Sequence, residues 1–477
     1  MTFPRSRRRF PRLRSRLRLP RLLREPSTAV GVLGLLALAA VAVGNVASTR
    51  PAARNGPRAY LPGAGGWDRA PVPSLGPRIV PDDEVLGERV PVEDPGGRAL
   101  DAFHEALARA AAGKGPARIL MLGASHTASD ELTGPLRERF QKAFGDAGPG
   151  MVLPVTPFKW YAHRDLELLH RGRFRTVRLD RFDRQRRRFG LPGHAGLSGF
   201  AIESDRAGAW TRISPRRREG RGTRFSRIEV HYLARPGGGR FDLRVDGQGV
   251  ARVATAARRV GVRRHVVEVP DGRHRVGIRI RTEEPVRLLG LVLERDRPGV
   301  VVDAFGIPGS RAADQLPGDP VTHRSHLRLR DPDLVVLAWG TNEVLDRPVS
   351  LVDYEADLRQ LLSRVRDAVP DASCLLVGPS DRPEVEDDGR VRPRPRAAQV
   401  VEVQRRLAAD YGCGFFDLIR LQGGHGAMAR WVTHDPPMGR DDYTHFTRRG
   451  YERVAELLEA ALLDGYRPAS PSDPPAR

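Results

Sequence analysis

Five residues of this 477-residue chain have the types and settings that ester chemistry needs: Ser125, Gly309, Asn342, Asp442 and His445. Ser125 follows the apolar run RILMLG (118–123) and leads into a helical pattern. Its hydroxyl therefore falls at a strand end, beside helix-start amides that can hydrogen-bond developing negative charge. The segment GASHTASD is not a G-x-S-x-G elbow, because Thr127 stands where the second glycine belongs. Gly309 sits in GIPGS after VVVDAFG, and Asn342 in GTNE after LVVLAWG. A glycine amide can approach a substrate closely, and an asparagine side chain can donate an N–H to an oxyanion. Near the C-terminus, Asp442 precedes His445 by three residues in DDYTHFTRRGY. That spacing lets a carboxylate fix the imidazole tautomer while the other ring nitrogen faces a nucleophile. Taken singly, each is an ordinary turn, cap or surface loop. No H-x-x-x-H, paired C-x-x-C or carboxylate cluster with metal spacing occurs, so neither a catalytic metal nor a cofactor is expected.

The elements that must carry these residues alternate between strand and helix. Short apolar runs at 118–123, 300–306, 334–340, 374–379 and 413–418 are separated mostly by helical patterns, including VDYEADLRQLLSRVRDAV, AAQVVEVQRRLAADYG and TRRGYERVAELLEAALLDG. This predicts an α/β domain with a parallel sheet covered on both faces. Residues 151–297 interrupt the pattern with alternating runs such as RIEVHYLA, RFDLRVDG and VRLLGLVLE between Gly, Pro and Asp-Gly turns. They read as an antiparallel β-sandwich inserted between the first and second parallel strands. The resulting divisions are a basic tail (1–27), an apolar segment (28–47), a Pro/Gly-rich linker (48–97), two parts of the α/β domain (98–150 and 298–466) around the insert, and a disordered tail (467–477).

The formal charge of +22 is uneven. Residues 1–27 carry ten Arg against Glu25 alone, and residues 151–300 hold 34 basic and 16 acidic side chains. Charge confined to a tail and one region argues against a nucleic-acid-binding protein. Residues 28–47 are twenty positions without a charge, long enough at about 1.5 Å per residue to cross a roughly 30 Å hydrocarbon core. With the arginines on the cytoplasmic side, they predict a single-pass, N-in transmembrane anchor, and everything after residue 48 lies across the membrane. A cleaved signal peptide has a shorter apolar region. Outside the cytoplasm Cys374 and Cys413 can pair, or remain two buried thiols.

In combination, the blocks of Ser125, Gly309, Asn342 and Asp442/His445 resemble the SGNH, or GDSL-type, esterase family, over about residues 116–463 apart from the insert. The resemblance implies a flavodoxin-like, three-layer hydrolase domain. It also implies that Ser125 is the nucleophile, His445 the base and Asp442 its orienting carboxylate. The Ser125 and Gly309 amides and the Asn342 side chain would then form the oxyanion hole. The family usually has Asp before the serine, where this chain has Ala124. A closer resemblance is to envelope peptidoglycan O-acetylesterases, through the exported domain, an insert like a carbohydrate-binding module and the segment GGHGAMARWVTHDPP. It implies a bacterial inner-membrane protein with a periplasmic or otherwise extracytoplasmic catalytic domain and an acetylated glycan, peptidoglycan or another envelope polysaccharide, as substrate. An O-acetyltransferase with the same residues, a lipid-ester hydrolase and an inactive glycan-binding scaffold are the alternatives. His126 and His434 lie near the site in sequence and read as hydrogen-bonding residues. Trp431 or Trp160 offers either a sugar-stacking face or a buried ring. The sequence leaves the oligomeric state open.

Overall fold

The computed structural model describes residues 85–181, 191–216, 220–345 and 348–468. The predicted tail, anchor and most of the linker lie outside these residues, as does nearly all of the C-terminal tail. Among the described residues, no helix is long and apolar enough to cross a membrane.

Five parallel strands form the central sheet: β1 (Pro116–Gly123), β2 (Gly299–Gly306), β3 (Leu334–Ala338), β4 (Ser373–Val377) and β5 (Gly414–Phe416). Their spatial order is β2-β1-β3-β4-β5, the flavodoxin-like order. Side chains alternate across this sheet because successive strand residues point to opposite faces. Leu120, Leu122, Val335, Leu337 and Leu376 enter one core with helices Leu351–Ala368 and Pro395–Asp410. Ile119, Met121, Val300, Val336 and Leu375 enter the other, with helices Asp101–Ala111, Thr133–Phe144 and Arg448–Leu462. The result is three layers, α/β/α. Helix starts are set by side-chain caps: Ser350 accepts from the Asp353 amide and Thr447 from the Gly450 amide.

Between β1 and β2 the chain forms two antiparallel sheets. One runs Gly261–Gly272, Phe225–Ala234, Val286–Glu294, Phe200–Ser204 and Arg175–Arg178, with Gly150–Val152 also paired to Val286–Glu294. The other runs Leu166–Arg171, Trp210–Pro215, Val276–Ile280, Arg240–Val245 and Gln248–Ala254. Ile202, Val230 and Leu291 of the first pack with Leu166, Ile213 and Phe241 of the second in a common core. Buried ion pairs join this layer to the parallel sheet. Glu294 takes Arg118 from β1 and Arg330 from helix Pro320–Arg330, and Arg330 also pairs with Asp303 of β2.

The structure departs from the sequence reading in one place assigned to the linker. Residues 85–97 lie on the α/β domain: Leu86 and Val90 are buried in its core and Glu93 bridges to Phe415. Glu93 also holds Arg405. Two apolar residues spaced four apart among prolines and glycines give no periodicity, yet they suffice to dock an extended segment. Cys374 and Cys413 form a disulfide between the starts of β4 and β5.

Candidate active site

The residues singled out by chemistry all lie beyond the C-terminal ends of the parallel strands, where ligands bind in open α/β sheets. Ser125 opens a single helical turn, Ser125–Ala128, directly after β1. The turn before it is held by backbone: the Ala124 amide donates to the Ala338 carbonyl at 3.3 Å, and the Thr127 amide to the Ala124 carbonyl at 3.2 Å. The Ala124 side chain is buried among apolar neighbours. Gly306 permits the close approach, since a Cβ there would stand 2.2 Å from the Ala124 carbonyl oxygen.

Chain order separates Ser125 from His445 by 320 residues, and the fold brings them together. His445 Nε2 lies 2.8 Å from Ser125 Oγ, and His445 Nδ1 lies 2.6 Å from Asp442 Oδ2. The second Asp442 oxygen accepts the amides of Thr444 at 3.0 Å and His445 at 2.9 Å. Partial burial of Asp442 works against its charge, but these amides and the imidazole outweigh it and hold the carboxyl below the usual aspartate range. With the carboxylate on Nδ1, that nitrogen carries the proton and Nε2 is left to accept one from Ser125.

Gly309 has a φ of +80°, a left-handed conformation that favours glycine, and nothing lies within 4 Å of where a Cβ would be. Asn342 Nδ2 donates to the Ser310 carbonyl at 2.8 Å, which ties the GTNE loop to the GIPGS loop and leaves a second N–H on the same amide. Glu343, beside it, is buried and binds both loops through its two oxygens, accepting the Gly340 amide at 3.0 Å and the Ala312 amide at 2.9 Å. Burial pushes its carboxyl up to about 7, against the pull of those amides. The structure therefore brings together the loops of Ser125, Gly309 and Asn342 with the Asp442–His445 pair. Among the described residues no group of three or more His, Cys, Asp or Glu could hold a metal ion.

His126 and His434 both make hydrogen bonds. His126 is buried, with Nδ1 on the Tyr451 hydroxyl and Nε2 on the Ser380 hydroxyl, and His434 Nδ1 lies 2.9 Å from the Pro436 carbonyl. Trp431 is fully buried and packs edge-on to Phe446, so it supports the histidine loop from below. Trp160 is 67% exposed. Ser380, Tyr451 and Glu343 are the functional neighbours that sequence reasoning missed. The first two are single hydroxyls with no motif around them, and Glu343 was visible only as a letter of GTNE.

The fold and this geometry are those of an SGNH, or GDSL-type, esterase. Residues 279–453 match the model of the GDSL-like Lipase/Acylhydrolase family, a stretch that holds Gly309, Asn342, Asp442 and His445 but begins after Ser125. Among solved structures, a peptidoglycan O-acetylesterase is similar at 25% identity and a TM-score of 0.65, over 79% of this chain and 99% of that chain. A family two carbohydrate esterase from Clostridium thermocellum, solved with cellohexaose, aligns at 14% identity and a TM-score of 0.25, over 63% of this chain and 99% of that one. No curated protein matches the chain.

Proposed function

We propose that this esterase removes O-acetyl groups from peptidoglycan or a related envelope glycan through an acetyl-enzyme on Ser125. The observation that carries the reading is the continuous chain Ser125 Oγ–His445–Asp442, at 2.8 and 2.6 Å. Ser125 Oγ attacks the acetyl carbonyl carbon as His445 Nε2 takes its proton. The oxyanion that forms accepts N–H bonds from the Ser125 and Gly309 amides and from the second N–H of Asn342. Collapse breaks the bond to the sugar oxygen, which leaves with the proton from His445. Water, deprotonated by the same imidazole, then releases acetate and restores Ser125.

Three features support the glycan and its compartment. A similar solved structure is that of a peptidoglycan O-acetylesterase. The Cys374–Cys413 bond suits an oxidising compartment outside the cytoplasm, as the apolar segment 28–47 reads when taken as an anchor. The arginine-rich insert suits a polymer bearing carboxylates, and exposed Trp160 offers a face to a sugar ring.

The test gives the full-length protein and its Ser125→Ala variant a small acetyl ester and O-acetylated peptidoglycan. Serine-dependent acetate release from both is expected. Hydrolysis of the small ester with no release from any O-acetylated glycan would overturn the substrate. Acetyl groups appearing on added glycan instead of in solution would make the enzyme a transferase.

A further inference from the structure

A buried hydrogen-bond network runs beside the reacting groups without touching them. Its centre is Ser380, just past β4 and fully buried. Ser380 Oγ lies 3.0 Å from His126 Nε2, 3.3 Å from Thr341 Oγ1 and 3.3 Å from the Thr444 carbonyl oxygen, and the Ser380 amide donates to Thr341 Oγ1 at 3.1 Å. His126 Nδ1 lies 2.9 Å from the Tyr451 hydroxyl.

One assignment of protons satisfies every contact. The Thr444 carbonyl can only accept, so the Ser380 hydroxyl donates to it. Thr341 accepts the Ser380 amide and donates its own hydroxyl to Ser380 Oγ. His126 must then carry its proton on Nε2 and donate it to Ser380, which leaves Nδ1 to accept from Tyr451. Burial, followed by the neighbouring His445, lowers the His126 pKa to about 3, consistent with a ring neutral on both counts.

The partners of Ser380 in this network come from four places in the chain. His126 follows Ser125, Thr341 precedes Asn342, Thr444 precedes His445, and Tyr451 lies in the final helix. Phe446, which follows His445, packs its ring at 5.6 Å from the His126 ring and 5.3 Å from that of Tyr451. The backbone of His445 is thus held on both sides by a cluster anchored to the residue after Ser125. The His126 and His445 rings themselves stand 5.2 Å apart.

We infer that His126 and Ser380 are positioning residues that fix the Ser125–His445 separation, with His126 a strut between the Ser125 turn and Ser380. The inference rests on the acetyl-enzyme reading only in taking Ser125 and His445 as the reacting pair. A neutral ring also adds no charge beside the imidazolium that His445 becomes during turnover. A one-ångström slackening between base and nucleophile lowers the chemical step far more than substrate binding.

The experiment uses the full-length protein with Ser380→Ala, Tyr451→Phe, His126→Leu and His126→Gln, the last keeping a donor near the Nε2 position. Each is assayed on a small acetyl ester, and its far-downfield proton NMR signal, from the His445 Nδ1–Asp442 bond, is recorded alongside thermal unfolding. Expected are a kcat about 10- to 100-fold lower in Ser380→Ala and His126→Leu with KM within about two-fold, partial recovery in His126→Gln, and a shifted or lost downfield signal in step. Tyr451→Phe is the mildest change and serves if the others fail to fold. A folded Ser380→Ala or Tyr451→Phe with full kcat and an unmoved signal would overturn the inference. If the wild type shows the signal but cleaves no ester, the acetyl-enzyme reading fails while loss of the signal in the variants still supports the strut.

Discussion

His445 Nε2 faces Ser125 Oγ at 2.8 Å across two loops that share no strand, and each loop is set by the end of a different element. Ser125 is placed by the end of β1. His445 is placed by the turn before the final helix, where Tyr443 adopts a left-handed φ of +51° and Asp442 folds back on the amides of Thr444 and His445. The chemistry depends on that meeting, and the first tests address it.

Replacing Ser125 or His445 by Ala should reduce ester turnover by several orders of magnitude in a folded protein. Asn342→Ala removes one oxyanion donor and should lower kcat by about 100- to 1,000-fold, roughly 3–4 kcal/mol of barrier. The measurement is kcat on a soluble acetyl ester. Unchanged turnover in Asn342→Ala would remove that side chain from the oxyanion hole.

Glu343 should matter through the two loops it holds. In Glu343→Gln a carboxamide N–H must face either the Gly340 or the Ala312 amide, so one buried donor loses its acceptor. A loss of about 1–3 kcal/mol of stability is expected, together with a lower kcat as the Gly309 and Asn342 loops part. Thermal unfolding and kinetics read the two effects separately. A variant as stable and as active as wild type would contradict the bridge.

Glu294 links the sandwich to the parallel sheet and gives stability a pH dependence. Burial opposes its charge, but Arg330 and Arg118 overcome this and hold its pKa at about 2, below the ordinary glutamate value of 4.5. Its folded pKa is depressed, so its contribution is complete above about pH 4.5 and is lost as pH falls through about 2. The shift corresponds to roughly 3 kcal/mol. Glu294→Gln should be less stable at pH 7 and should show a flatter acid limb in denaturant unfolding between those pH values. An acid limb identical to wild type would exclude the group.

The disulfide closes a loop of 39 residues between neighbouring strands. Loop-closure entropy puts its contribution at about 4 kcal/mol. Both sulfurs are buried, so the native protein should resist reductant, and the unfolded protein should refold to a less stable state once reduced. Denaturant midpoints with and without reductant measure this; coincident midpoints would show that the crosslink contributes nothing.

Much of this site is legible in sequence because strand ends are. Mostly apolar runs of six or seven residues mark the parallel strands, and Ser125, Gly309 and Asn342 follow three of them closely. The insert is less legible. Phe200–Ser204 is buried at every position and Leu166–Arg171 carries a single fully buried residue, so neither shows the two-residue alternation of a half-buried strand. The helix Pro320–Arg330 is too polar to stand out, since it buries Thr322, His323, His326 and Arg330 alongside Leu327. Cysteine pairing needed a distance that no spacing supplies. The Ser380 network was invisible for a simpler reason: three hydroxyls, an imidazole and a carbonyl meeting from distant segments form no local pattern.

The insert also bears on how the chain reaches this state. β1 and β2 are neighbours in register from Pro116↔Gly299 to Gly123↔Gly306, roughly 180 residues apart in sequence. Yet Gly150–Val152 pairs with Val286–Glu294, so the strands that enter and leave the sandwich lie side by side. Once the sandwich has folded, its two exits present β1 and β2 to each other as though a short crossover joined them. The effective search length for that pairing is then that of a short crossover and not of the whole insert.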